Sequence, residues 1–130
     1  MITKKMILLF LIVAVCSCNF SDEVRELKGG WKFVSESKHD KAIDGGDMHI
    51  PCEVLQYGDN DNFIIAKQKP TDDCFLGKDT SVYKDGRDKI YYWLIVKKQK
   101  LLLGPLDELE FIQARRKYEV PDELKLESVY

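Results

Sequence analysis

Apolar and polar positions divide this chain into one long hydrophobic run, several short alternating segments and one amphipathic stretch near the C-terminal end. The run is Met6 to Val15, preceded by Lys4 and Lys5. Its ten residues fit the roughly 7–15 of a secretory h-region and fall short of the about 20 that span a bilayer. Further on, Trp31 to Glu36 alternates as a half-buried strand does. Ser37 to Met48, with Lys38-His39-Asp40 and Asp44-Gly45-Gly46-Asp47, reads as loop, and His49-Ile50-Pro51 opens a second strand region. Glu53 to Tyr57 and Phe63 to Gln68 flank a Gly58 to Asn62 cluster whose residue types tolerate left-handed backbone. Together they predict a β-hairpin.

Lys69 to Asp88 is a long polar connection containing Pro70, Gly77 and Gly86. A structureless loop of that length is unusual in a compact domain. Either it holds a short strand around Phe75-Leu76 or Val82-Tyr83, or Cys74 pins it back to Cys52. Lys89 to Val96 is apolar on both faces and belongs at the centre of a sheet. Lys97 to Lys100 is its exposed turn, Leu101 to Leu103 returns beside it, and Gly104-Pro105 ends that strand.

A helix begins at Asp107. Asp107 and Glu110 have the spacing of a capping box, and Leu106 and Phe111 that of a hydrophobic staple. Acidic residues crowd the start and Arg115-Arg116-Lys117 the end, as the helix dipole favours. Phe111, Ala114 and Tyr118 share one face, and Pro121 ends the helix because it disfavours helical backbone at Val120. Leu124 to Tyr130 alternates and can add an edge strand. The expected fold is α+β: a small antiparallel sheet of about five strands with one C-terminal α-helix packed on it.

The apolar run ends in Val15-Cys16-Ser17-Cys18, which resembles a bacterial lipobox with cleavage between Ser17 and Cys18 and acylation of Cys18. Cys16 competes, but branched Val15 precedes it where the peptidase needs a small residue. The alternative is an ordinary secretory signal, although an A-x-A-like site is absent. Each buried acyl CH₂ contributes about 0.8 kcal/mol, so two or three chains hold the protein at a membrane that the short leader cannot span. The chain then divides into residues 1–17 as leader, 18–28 as lipidated tether and 29–130 as one domain. The acidic Ser21-Asp22-Glu23 after Cys18 resembles a surface-export signal of some Gram-negative bacteria. The expected location is the cell envelope, on the outer membrane and facing the periplasm or the surface.

Charge changes the picture by exclusion. The leader takes two of the 20 basic residues and none of the 22 acidic ones, leaving a mildly acidic body with both signs interspersed. No basic stripe marks a nucleic-acid partner. With Cys16 removed and Cys18 acylated, Cys52 and Cys74 remain. In an oxidising compartment they either bridge or stay two independent thiols, a bridge being worth roughly 3 kcal/mol. His39, Asp40, Asp44, Asp47 and His49 lie in one Gly-containing stretch and are candidate zinc ligands. The plainer alternative is a solvated loop, since the spacing matches no metal motif. Asp59 to Asn62 looks like part of a calcium loop but lacks its glycine and closing glutamate. No nucleophile elbow or phosphate-binding loop is present. Plentiful carboxylates are neutral evidence for glycoside hydrolysis. Trp31, Tyr91, Tyr92 and Trp93 could line a groove, but at strand positions aromatics more commonly fill the core. No cofactor is implied.

Several features in order resemble an uncharacterised family of small bacterial lipoproteins with a domain of unknown function. They are the lipobox, Leu27 to Phe33, Ile50-Pro51 with Val54, Asp61 to Gln68, Tyr92 to Val96, and Gly104-Pro105-Leu106 running into the helix. The resemblance covers most of the mature chain and implies no activity, cofactor or catalytic residue; the Cys52/Cys74 pair lies outside it. The leading expectation is a membrane-anchored, non-enzymatic binding or structural module with an envelope protein as partner. The alternatives are a small metal-binding protein or hydrolase using the His39–His49 stretch, and an inhibitor or immunity-type partner of an envelope enzyme.

Overall fold

The computed structural model describes residues 23–130. The leader, Ser17, Cys18 and the tether as far as Asp22 lie outside the described residues. Two antiparallel sheets form. The first, sheet A, runs in sequence order through β1 (Glu23–Glu26), β2 (Lys32–Ser37), β3 (Asp40–Asp44) and β4 (His49–Ile50). Sheet B contains β5 (Val54–Asp59), β6 (Phe63–Gln68), β7 (Tyr91–Val96), β8 (Leu101–Leu106) and β9 (Glu127–Ser128), in the order β8-β7-β6-β5-β9. The helix α1 covers Glu108–Lys117. The α+β class stands, but the strands lie in two sheets of four and five rather than one of about five.

Sheet B is the middle of three layers. Between the sheets, Trp31, Phe33, Ile43 and Ile50 of the sheet A side pack with Val54, Ile64, Ala66, Trp93 and Ile95. On the other face, Ile65, Leu94 and Val96 pack with Phe111, Val120 and Leu124. Alternating residues of β6 and β7 therefore serve different cores, which is why β7 is apolar on both faces. The aromatics Trp31, Tyr91 and Trp93 are buried, and Tyr92 stacks on Phe111 with ring centroids 4.8 Å apart.

The hairpin of β5 and β6 forms where the pattern placed it. Asn60 closes its turn by accepting from the backbone N–H groups of Asn62 and Phe63 at 2.9 and 2.7 Å. The helix cap is complete: Asp107 accepts from the Glu110 N–H at 2.8 Å and Glu110 from the Asp107 N–H at 3.0 Å. Lys84 clamps both carboxylates, at 2.6 and 2.7 Å. The C-terminal segment adds β9 to the β5 edge.

Four expectations need correction. First, β3 occupies part of the stretch read as loop; Asp40, Lys41 and Asp44 mask Ala42 and Ile43, both fully buried. Second, β1 lies inside the segment read as tether, pairing Glu23 with Ser35 and Glu26 with Lys32. Its residues are all exposed, so backbone pairing forms it and no apolar alternation announces it. Third, β8 continues through Gly104-Pro105 to Leu106, since a proline is tolerated in an edge strand. Gly104 is required there: it has φ +149°, and a Cβ would stand 2.4 Å from the Trp93 ring. Fourth, Lys97 is not part of an exposed turn; its side chain is only 8% exposed and pairs with Asp59 at 2.6 Å.

Candidate functional site

The polar groups gather at one end of the sandwich. Among the described residues, the buried polar or charged side chains are Ser35, Lys41, Glu53 and Gln68. Burying such groups costs free energy unless they are paired, so their placement is informative. The turn between β2 and β3 brings Lys38 and His39 to the end where the chain leaves β4 through Pro51, Cys52 and Glu53. Two backbone bonds between Glu53 and Lys69, at 2.9 and 3.0 Å, tie this exit to the chain after β6. The Thr71 N–H adds a bond to the Cys52 carbonyl at 3.2 Å.

Cys52 and Cys74 are joined in a disulfide, with Cα atoms 5.6 Å apart. Asp40 Oδ1 lies 2.9 Å from the Cys52 sulfur and accepts from the Phe75 N–H at 3.0 Å. The 69–90 connection is thus held at its start by the disulfide; it contains no strand or helix.

Glu53 is the centre of the corner. One carboxylate oxygen accepts from the Tyr130 hydroxyl at 2.7 Å, and the other is 2.8 Å from His39 Nδ1. The carboxylate orients the His39 ring, which is 70% exposed and leaves Nε2 for an outside group. Lys41 donates to the Ser37 and Lys38 carbonyls, and its ammonium lies 4.5 Å from the centre of the Tyr130 ring. Burial, and then the bond to Glu53, push the Tyr130 hydroxyl up to about 12.

A hydrogen-bonded chain extends from the corner into sheet B. Trp93 Nε1 donates to Gln68 Oε1 at 2.7 Å. Gln68 Nε2 donates to the Cys52 carbonyl at 3.2 Å and to the Tyr83 hydroxyl at 3.0 Å. That hydroxyl donates to Asp79. Burial, then the bond to Asp79, push Tyr83 up to about 12. Burial opposes ionisation of Asp79, but hydrogen bonds from Tyr83 and Ser81, together with Arg87, lower its pKa below the ordinary carboxylate value. Beside this chain lies an open groove of about 530 Å³ between the β4 and β8 edges, lined in part by Met48, His49, Asp79, Val82, Trp93 and Pro105.

The candidate zinc ligands do not converge. His39 is taken by Glu53, and Asp40 faces the disulfide and the Phe75 N–H. Asp44 and His49 are cross-strand partners several residues away along the sheet, and Asp44 accepts from the Gly46 N–H at 2.9 Å. Asp47 lines the groove with His49. Among the described residues, the one group close enough to share an ion is Asp40, Cys52 and Cys74, and a disulfide offers no thiolate. The residues that build the corner, Lys41, Glu53, Gln68 and Tyr130, were not singled out by any motif. Their one local signal is a polar side chain set against apolar strand neighbours, as in Lys41-Ala42-Ile43.

A family profile described as Protein of unknown function (DUF3997) matches residues 28–130. The chain belongs to this family. The DUF3997 match takes in β2 to β9, the helix and every residue of the polar corner, and begins after β1. No curated protein and no solved structure matches the chain.

Proposed function

We propose that this chain is a lipid-anchored lipoprotein of the bacterial envelope whose domain is a non-enzymatic binding module. The carrying observation is the Cys52–Cys74 disulfide across the polar corner. Such bonds persist in exported proteins and are rare in the cytosol. It joins a leader whose h-region and Val15-Cys16-Ser17-Cys18 ending have the form of a lipoprotein signal. The binding groups are those the corner exposes, His39 and the rim of Tyr130, with an envelope protein as partner. Mass spectrometry of the mature N-terminus tests the anchor: an acylated Cys18 is expected, and an unmodified residue or cleavage elsewhere overturns it.

One observation favours a second reading, a small hydrolase. His39, held at Nδ1 by a buried carboxylate, has the form of a general base with its orienting partner. Turnover of a supplied ester that is lost in His39→Ala and weakened in Glu53→Gln would select this reading over the binding module.

A further inference from the structure

We infer that the Cys52–Cys74 disulfide is guarded against thiol exchange: the sulfur a thiol can reach is Cys74, and the leaving group that this route requires, the Cys52 thiolate, would form against the Asp40 carboxylate. Cys52 is fully buried. Cys74 is half-buried and lines an open hollow of about 440 Å³ with Asp40, Asp72, Asp73, Phe75 and Lys78. A thiolate must contact the sulfur it attacks, so exchange in the folded protein begins at Cys74. The guard operates whether or not the chain carries a lipid anchor.

In that route a small thiolate RS⁻ bonds to Cys74 Sγ, the Cys52–Cys74 bond breaks, and the Cys52 sulfur leaves with the electron pair and then takes a proton from water. A second RS⁻ displaces Cys74 and releases RSSR, so two electrons pass from two thiols to the protein. The first displacement is the hard one. Asp40 Oδ1 lies 2.9 Å from the Cys52 sulfur and is fixed there by the Phe75 N–H at 3.0 Å. Negative charge on a buried sulfur beside a carboxylate is disfavoured twice, by lost solvation and by like charge. A thiol that holds its proton so tightly leaves slowly. The opposite route has the better leaving group, because the Cys52 N–H donates to Cys74 Sγ at 3.3 Å and would stabilise a Cys74 thiolate. It requires attack at the buried Cys52 sulfur. The field in the hollow raises the barrier further. Asp72 is paired with Arg87 at 3.4 Å, whereas neither Asp40 nor Asp73 forms an ion pair among the described residues. Lys78 is the one cation among the residues lining the hollow. An anionic thiol is therefore repelled more than a cationic one.

Exchange kinetics on the full, oxidised protein test this. Cysteamine supplies a cationic thiol and 2-mercaptoethanesulfonate an anionic one, compared at equal thiolate concentration. Acid quenching, alkylation and peptide mass mapping show which cysteine carries the adduct. First adducts should sit on Cys74 with Cys52 alkylated; first adducts on Cys52 would overturn the guard. The ratio of the cysteamine rate to the sulfonate rate should be roughly tenfold higher in folded protein than in urea. An equal ratio would mean that the bond opens only after unfolding, and would overturn it as well. Asp40→Asn keeps an oxygen for the Phe75 N–H and should speed exchange with both thiols roughly tenfold or more. Exchange at the parent rate, in a variant whose Tm is unchanged, refutes the role of Asp40. Asp73→Asn changes an exposed position and should lower the rate ratio; an unchanged ratio counts against the field in the hollow. Should Asp40→Asn fail to fold, the adduct position and the Asp73→Asn ratio still decide.

Discussion

A single lysine shows how much depends on residues distant in sequence. The Lys97 ammonium donates to the Lys28 carbonyl at 2.5 Å, to Asp59 at 2.6 Å and to the Asn60 carbonyl at 2.7 Å. These three acceptors match its three donors. Asp59 also accepts from the Lys28 N–H at 3.1 Å, so the segment before Gly29 is latched to both turns at this end of sheet B. Lys97→Met leaves the Asp59 carboxylate, itself only 13% exposed, without its cation. It should cost about 3 kcal/mol in urea unfolding, as breaking a buried pair does, and adding Asp59→Asn should recover part of the loss. The two perturbed tyrosines make a prediction about alkaline pH. Tyr83 and Tyr130 are each raised from 10.0 to about 12, by burial first and then by a carboxylate neighbour. The stability they supply is complete below pH 10 and is lost as pH rises towards 12, because in that window the unfolded chain has already released protons that the folded one retains. Comparing Tm across that window, the Tyr83→Phe/Tyr130→Phe variant should decline less steeply than the parent; parallel curves would contradict the assignment.

Elements differed in how openly they announced themselves. The helix carried its cap, its dipole complement and its stop signal in consecutive residues, and α1 begins at the position those residues specify. The hairpin and β7 were equally plain, since apolar periodicity and turn chemistry are local properties. By contrast, β1 and β3 lack a clean alternation: β1 exposes all four residues, and β3 buries three in a row, one of them Lys41. The 69–90 connection belongs with these. It is held by the disulfide, by Tyr83 and Tyr91, and by Arg87, which donates to the Thr71 carbonyl at 2.9 Å. Replacing both Cys52 and Cys74 by alanine should lower stability by roughly 3 kcal/mol, the chain-entropy value for a loop of this size. Trypsin should then cut at Lys78 or Lys84 faster than in the parent. Unchanged cutting would mean that the hydrogen bonds alone hold the connection in place.

At the scale of the molecule, sheet B is shared by two cores and couples them. Both tryptophans, Trp31 and Trp93, lie in the core between the sheets, whereas Phe111 lies in the core under α1. Phe111→Ala should cost about 3 kcal/mol. The loss should appear as the same shift in tryptophan fluorescence and in helical circular dichroism, since small domains generally unfold as one unit. Separate transitions for the two signals would show the layers melting independently. The same layering gives the molecule two unlike faces, with the start of β1 paired into sheet A and α1 packed on the opposite side of sheet B.

The sequence by itself determined the α+β class, the hairpin, the doubly apolar central strand and the capped helix. Each of these depends on residues within one turn or one strand of each other, so periodicity and cap chemistry reveal them. Tertiary structure decided the split into two sheets, the pairing of β1, the burial of Lys97 and the assembly of His39, Lys41, Glu53, Gln68 and Tyr130 at one corner. Glu53 meets Tyr130 across 77 positions, and Lys97 meets Lys28 across 69. Such partners are chosen by the folded geometry that satisfies their buried donors and acceptors, and no local pattern encodes that choice.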